Sequence, residues 1–98
     1  MHSIKDMVCV VTGAAKSIGF GVAERYCALG AKVALIDIHP SVVESAERFR
    51  TQGYEAAAYV LDITDPDAVK TVFSQIRERY GAIYALVNVA GIVSQHPI

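Results

Sequence analysis

At 98 residues the chain has room for one domain, residues 1–98, which buries a smaller share of its surface than a 150-residue domain does. Yet 53% of the residues are apolar and the mean hydropathy is +0.35, so some apolar surface is expected to need a partner. A net charge of −1, from 9 basic and 10 acidic residues, disfavours nucleic acid and anionic membranes as partners, and no apolar run approaches the roughly 18 residues of a membrane span.

In chain order, Met1 to Met7 has neither the basic flank nor the apolar stretch of a secretory signal, so a cytoplasmic protein is expected. Val8 to Val11 is continuously apolar, as in a strand covered on both faces. The turn VVTGAAKSIGFG leads from it into a helix striped by Ile18, Val22, Tyr26 and Leu29 and closed by Gly30. Lys32 to Ile36 is the second apolar run. After it Val42, Ala46 and Phe49 mark a second helix, with Ser41 and Glu44 at capping-box spacing and Gly53 at its end.

Ala57 to Leu61 forms the third run. The next helix carries Val69, Val72, Phe73, Ile76 and Tyr80 on one face, with Asp65 placed to cap it, Pro66 at its first position and Gly81 beyond it. Ala85 to Val89 is the fourth run. The order βαβαβαβ predicts a parallel α/β sheet with right-handed crossovers. Cys9 and Cys27 fall inside apolar elements and are expected to be small buried hydrophobes, while His2, His39 and His96 lie at no metal-ligand spacing.

The glycine turn carries the chemistry. It presents the unpaired N–H groups and positive dipole end of the first helix above the strand ends, where an anion such as a phosphate is the natural occupant. Gly13, Gly19 and Gly21 let the backbone approach that anion and let the helix pack against the sheet. Asp37 closes the second strand 24 residues after Gly13, where a carboxylate accepts hydrogen bonds from a ribose diol. That carboxylate would repel a 2′-phosphate by about 4 kcal/mol per unit charge at an effective dielectric near 20. Lys16 pulls the other way from a flexible, screened stem, so NAD is expected over NADP.

Taken together these residues resemble the short-chain dehydrogenase/reductase family. Its Thr-Gly-x-x-x-Gly-x-Gly signature is matched by Thr12, Gly13, Ala14, Ala15, Lys16, Ser17, Ile18 and Gly19, except that Ser17 stands where the family has glycine. Asp62-Ile63-Thr64 and Asn88-Val89-Ala90-Gly91 resemble the segments after the family's third and fourth strands, although Val89 replaces a second asparagine. The resemblance implies a Rossmann-like, partly doubly wound sheet of order 3-2-1-4. It also implies that Gly13, Ser17, Ile18 and Gly19 face the pyrophosphate, Asp37 and Ile38 the adenosine ribose, Asp62 and Ile63 the adenine edge, and Asn88, Ala90 and Gly91 the inner rim of the cofactor. The Ser17 hydroxyl can donate to phosphate, or its Cβ can push the cofactor off.

The family's proton-transfer group, a serine with a Tyr-x-x-x-Lys pair, finds no match: none of the five tyrosines has lysine four residues on. The expectation is therefore the cofactor-binding front of an NAD-dependent alcohol or carbonyl oxidoreductase that is not active alone. A non-catalytic nucleotide-binding or self-assembling module remains the alternative. A methyltransferase shares the glycine turn and the acid after the second strand, but the Asp62 and Asn88 segments argue against it. The fourth strand, left at an open edge with one helix to cover its face, is expected either to drive homo-oligomerisation or to mark the chain as a fragment of a longer protein.

Overall fold

The computed structural model describes residues 3–15 and 17–89. Along the chain run β1 (Val8–Thr12), α1 (Ser17–Ala28), β2 (Lys32–Asp37), α2 (Val42–Thr51), β3 (Ala56–Val60), α3 (Pro66–Tyr80) and β4 (Ile83–Asn88). The four strands pair in parallel in the order β3-β2-β1-β4. This is the Rossmann-like order that the family resemblance implies. In register, Thr12 pairs with Ile36 on one side and with Asn88 on the other, so β1, β2 and β4 end level with one another.

Alternate residues of β1 and β2 face opposite layers, as the period of a strand requires. Cys9, Val11, Val33 and Leu35 join Ala23 and Cys27 of α1 and Val42, Ala46 and Phe49 of α2 in one buried cluster. Val8, Val10, Ala34 and Ile36 face Ile76 of α3 in the other, with Val69, Val72 and Phe73 partly buried against it. Helices α1 and α2 therefore share one face and α3 lies on the other, which makes a doubly wound sheet. Phe20 of α1 stacks on Phe49 of α2 at 4.8 Å between ring centroids. Both cysteines are buried; burial, then the charge of Glu24, pushes the Cys27 thiol up to about 11, so it stays protonated at neutral pH and fills space as a hydrophobe.

Two local expectations are corrected. The face that α1 buries is Gly19, Ala23 and Cys27, not the stripe of larger residues: Ile18 and Leu29 at its ends are 62% and 48% exposed, and Val22 and Tyr26 sit at the rim. Small side chains at i, i+4 and i+8 let the helix lie close to the sheet. The capping box at Ser41 does not form, because Ser41 is itself helical (φ −61, ψ −11) and its side chain makes no cap bond. Asp65 does cap α3, its carboxylate accepting from the Asp67 and Ala68 amides at 3.1 and 3.2 Å, with Pro66 opening the helix. Gly30, Gly53 and Gly81 all take positive φ after their helices. The strands β3 and β4 begin one and two residues earlier than their apolar runs suggest.

Candidate functional site

The site lies above the carboxyl ends of the strands, beside the point between β1 and β4 where the strand order β3-β2-β1-β4 reverses direction. At the end of β1 the chain turns through Gly13, whose φ of 69° is a conformation that side chains rarely adopt. The Ala14 amide donates to the Ile36 carbonyl at 3.1 Å, and the Ala15 amide donates to Oδ2 of Asp37 at 2.9 Å. Oδ1 of Asp37 accepts from the His39 amide, also at 2.9 Å. Asp37 is buried, 7% exposed, and faces the turn rather than open water. Two of its roughly four acceptor positions are used by these amides, which leaves two.

Gly19 is buried in the first turn of α1. A Cβ there would collide with the Gly13 carbonyl oxygen and stand 2.6 Å from its carbon, so the closeness of helix and turn depends on its absence. Gly21 has open space around it and is not needed for that approach. Ser17 and Ile18 are exposed at the helix mouth, where the leading amides of a helix have no intrahelical partner.

On the β3 side, Oδ1 of Asp62 accepts from the Thr64 hydroxyl at 2.7 Å and its amide at 2.9 Å. These bonds, the hydroxyl first, hold the Asp62 carboxyl below its ordinary pKa, so it is anionic at neutral pH. Gly13, Asp37, Ile38, Asp62 and Ile63 line one pocket of about 100 Å³, floored by Ile36 and Leu61. On the β4 side the Thr12 hydroxyl donates to Oδ1 of Asn88 at 2.7 Å. Both residues line a second pocket of about 160 Å³ together with Ile63, Val69, Phe73 and Leu86.

The fold thus gathers Gly13, Asp37, Ile38, Asp62 and Ile63 around one opening, with Ser17, Ile18 and Gly19 at the start of α1 and Asn88 across β1. Lys16, Ala90 and Gly91 lie outside the described residues. Two contributors are not read from the sequence. Thr12 belongs to the Thr-Gly motif, but its bond to Asn88 depends on strand pairing; Ala15 contributes a main-chain amide, which no residue type signals. Among the described residues no group of three or more His, Cys, Asp or Glu is placed to hold a metal ion.

Comparison with known proteins gives a consistent outcome. The family model described as short chain dehydrogenase matches residues 7–98. An oxidoreductase of Bacillus subtilis, YxjF, is 36% identical over 96 residues, covering 97% of this chain and 37% of its own length. Galactitol 2-dehydrogenase of Agrobacterium fabrum is 36% identical over 95 residues, covering 97% and 36%. Among solved structures, a short chain dehydrogenase/reductase from Burkholderia phymatum in complex with NAD superposes with a TM-score of 0.83 at 25% identity, covering 88% of this chain and 31% of that one. The chain spans a little over one third of the length of the curated relatives it matches.

Proposed function

This chain belongs to the short-chain dehydrogenase family, and on that premise we propose that it forms the NAD-binding front of an oxidoreductase acting on alcohol or carbonyl groups. The observation that carries the proposal is the gathering of Gly13, Asp37 and the Asp62-Ile63 pair around one opening. The amides of Ser17, Ile18 and Gly19 would hold the diphosphate, Asp37 and Ile38 the adenosine ribose, and Asp62 and Ile63 the adenine edge. Asn88, with Ala90 and Gly91, would meet the inner part of the cofactor. The nicotinamide supplies or accepts the hydride when bound.

What the protein adds is position. Asp37 brings a carboxyl group with spare acceptor capacity, which suits two ribose hydroxyls and opposes a 2′-phosphate. NAD is therefore the favoured cofactor. The proton that accompanies hydride transfer to a carbonyl needs a donor, and no tyrosine of this sequence has the lysine partner that would lower its pKa. We assign these residues to cofactor binding and not to proton transfer. A further part of the proposal is self-association through β4, an edge strand whose Tyr84 and Leu86 are 47% and 53% exposed.

Calorimetric titration with NAD, NADP and S-adenosylmethionine tests the assignment, with a hydride-transfer assay on simple alcohols alongside. Saturable binding of NAD, at least tenfold weaker binding of NADP and no turnover are expected. Tighter binding of S-adenosylmethionine, or of none of the three, would overturn it.

A further inference from the structure

We propose that Asp37 is a positioning residue for the glycine turn itself, acting on the anion-holding amides through Ala15 as well as on the sugar. The ligand named here rests on the dinucleotide assignment above; the geometry does not. Two hydrogen bonds fasten the turn to β2, from the Ala14 amide to the Ile36 carbonyl and from the Ala15 amide to Oδ2 of Asp37. The first is main chain to main chain, and any residue at 36 supplies it. The second exists only because a side-chain acceptor of the right length stands at 37.

Asp37 is in turn held on its other side, since Oδ1 accepts the His39 amide where β2 runs toward α2. One carboxylate thus bridges the β1–α1 turn and the β2–α2 connection, and it is buried while doing so. Remove it, and the half-buried Ala15 amide loses its acceptor beside Gly13, the residue with most freedom to swing. The Gly13 carbonyl is also the atom against which Gly19 rests. A shift of the turn therefore reaches the first turn of α1, where the phosphate-facing amides are. The sugar and diphosphate subsites are coupled through Asp37.

Charge alone gives the opposite sign, which makes the coupling testable. Deleting a nearby anion should tighten the binding of a polyanion; losing the strut should weaken it. Amide hydrogen exchange, followed by NMR on the ligand-free chain, should show Ala15 protected in the native protein. In Asp37→Ala its exchange should be about tenfold to a hundredfold faster, the range expected for a lost hydrogen bond to a charged group. Val10 and Leu35 should stay protected in both, which certifies the fold.

Inorganic pyrophosphate, titrated while the Gly19 amide is observed, should bind about tenfold more weakly to the variant. If Asp37→Ala does not keep Val10 and Leu35 protected, Asp37→Asn replaces it, retaining the shape with one acceptor oxygen, and faster Ala15 exchange with weaker pyrophosphate binding is again expected. Unprotected Ala15 in the native chain overturns the proposal. So does pyrophosphate binding that is absent from the native chain, or unchanged or tighter in the variant. If NAD fails to bind while these results hold, the dinucleotide assignment falls and the coupling stands.

Discussion

Gly19 has no room for a side chain. Its Cα lies so close to the Gly13 carbonyl that a single methyl group has no place to go, and the obstacle is the backbone of Gly13 and Ala14 rather than the end of a flexible side chain. Overpacking of this kind costs typically about 1–3 kcal/mol, and more where nothing can yield. Gly19→Ala is therefore expected to lower stability in urea melts by at least about 2 kcal/mol and to abolish NAD binding. Gly21→Ala, with open space around it, serves as the control and should fall within about 0.5 kcal/mol of the native chain. Equal effects of the two substitutions would contradict the geometry.

At the scale of elements, α3 shows both a well-written start and a flaw at its end. Asp65 and Pro66 open it with a satisfied cap. Near its last residue the Tyr80 hydroxyl is buried without a hydrogen-bond partner among the described residues, and burial is the first cause of its raised pKa. An unsatisfied buried hydroxyl costs about 1–3 kcal/mol, whereas the ring beneath it packs against the α3-side core. Tyr80→Phe should thus raise stability by about 1 kcal/mol, seen as a higher melting temperature; a loss of stability would show that the hydroxyl has a partner.

The elements also show what the sequence can and cannot convey. Strands β1 and β2, buried on both faces, are legible as unbroken apolar runs, and α3 is legible because its contacts are made by large residues at helical spacing. The face of α1 is misread for the converse reason: Gly19, Ala23 and Cys27 touch the sheet because they are small, and a search for large apolar residues finds the rim instead. The positions of Gly13 and Asp37 can be inferred from spacing. The bond between Asp37 and the Ala15 amide cannot, since it joins residues 22 apart and uses a main-chain donor. The likeness of Ser41 and Glu44 to a capping box fails because the chain enters α2 already helical.

For the sheet as a whole, among the described residues, the governing feature is asymmetry between its two edges. The β3 edge is covered on one face by α2, while β4 carries no charged residue or proline and exposes Tyr84 and Leu86 beside α3. An uncharged edge with exposed apolar side chains is a template for pairing. Size-exclusion chromatography should give an apparent mass above the monomer that rises with concentration, and Leu86→Lys should return the chain to the monomer. A native chain that elutes as a monomer at every concentration would rule out pairing through this edge.

The placement of the cofactor can be examined most directly by NMR, following every assigned amide as NAD is added. The largest changes should fall on Ser17, Ile18 and Gly19 at the start of α1 and on Ile38 and Ile63 beside the pocket. Changes confined to the opposite end of the sheet, around Asp6, Gly30 and Gly53, would place the ligand elsewhere and contradict the assignment.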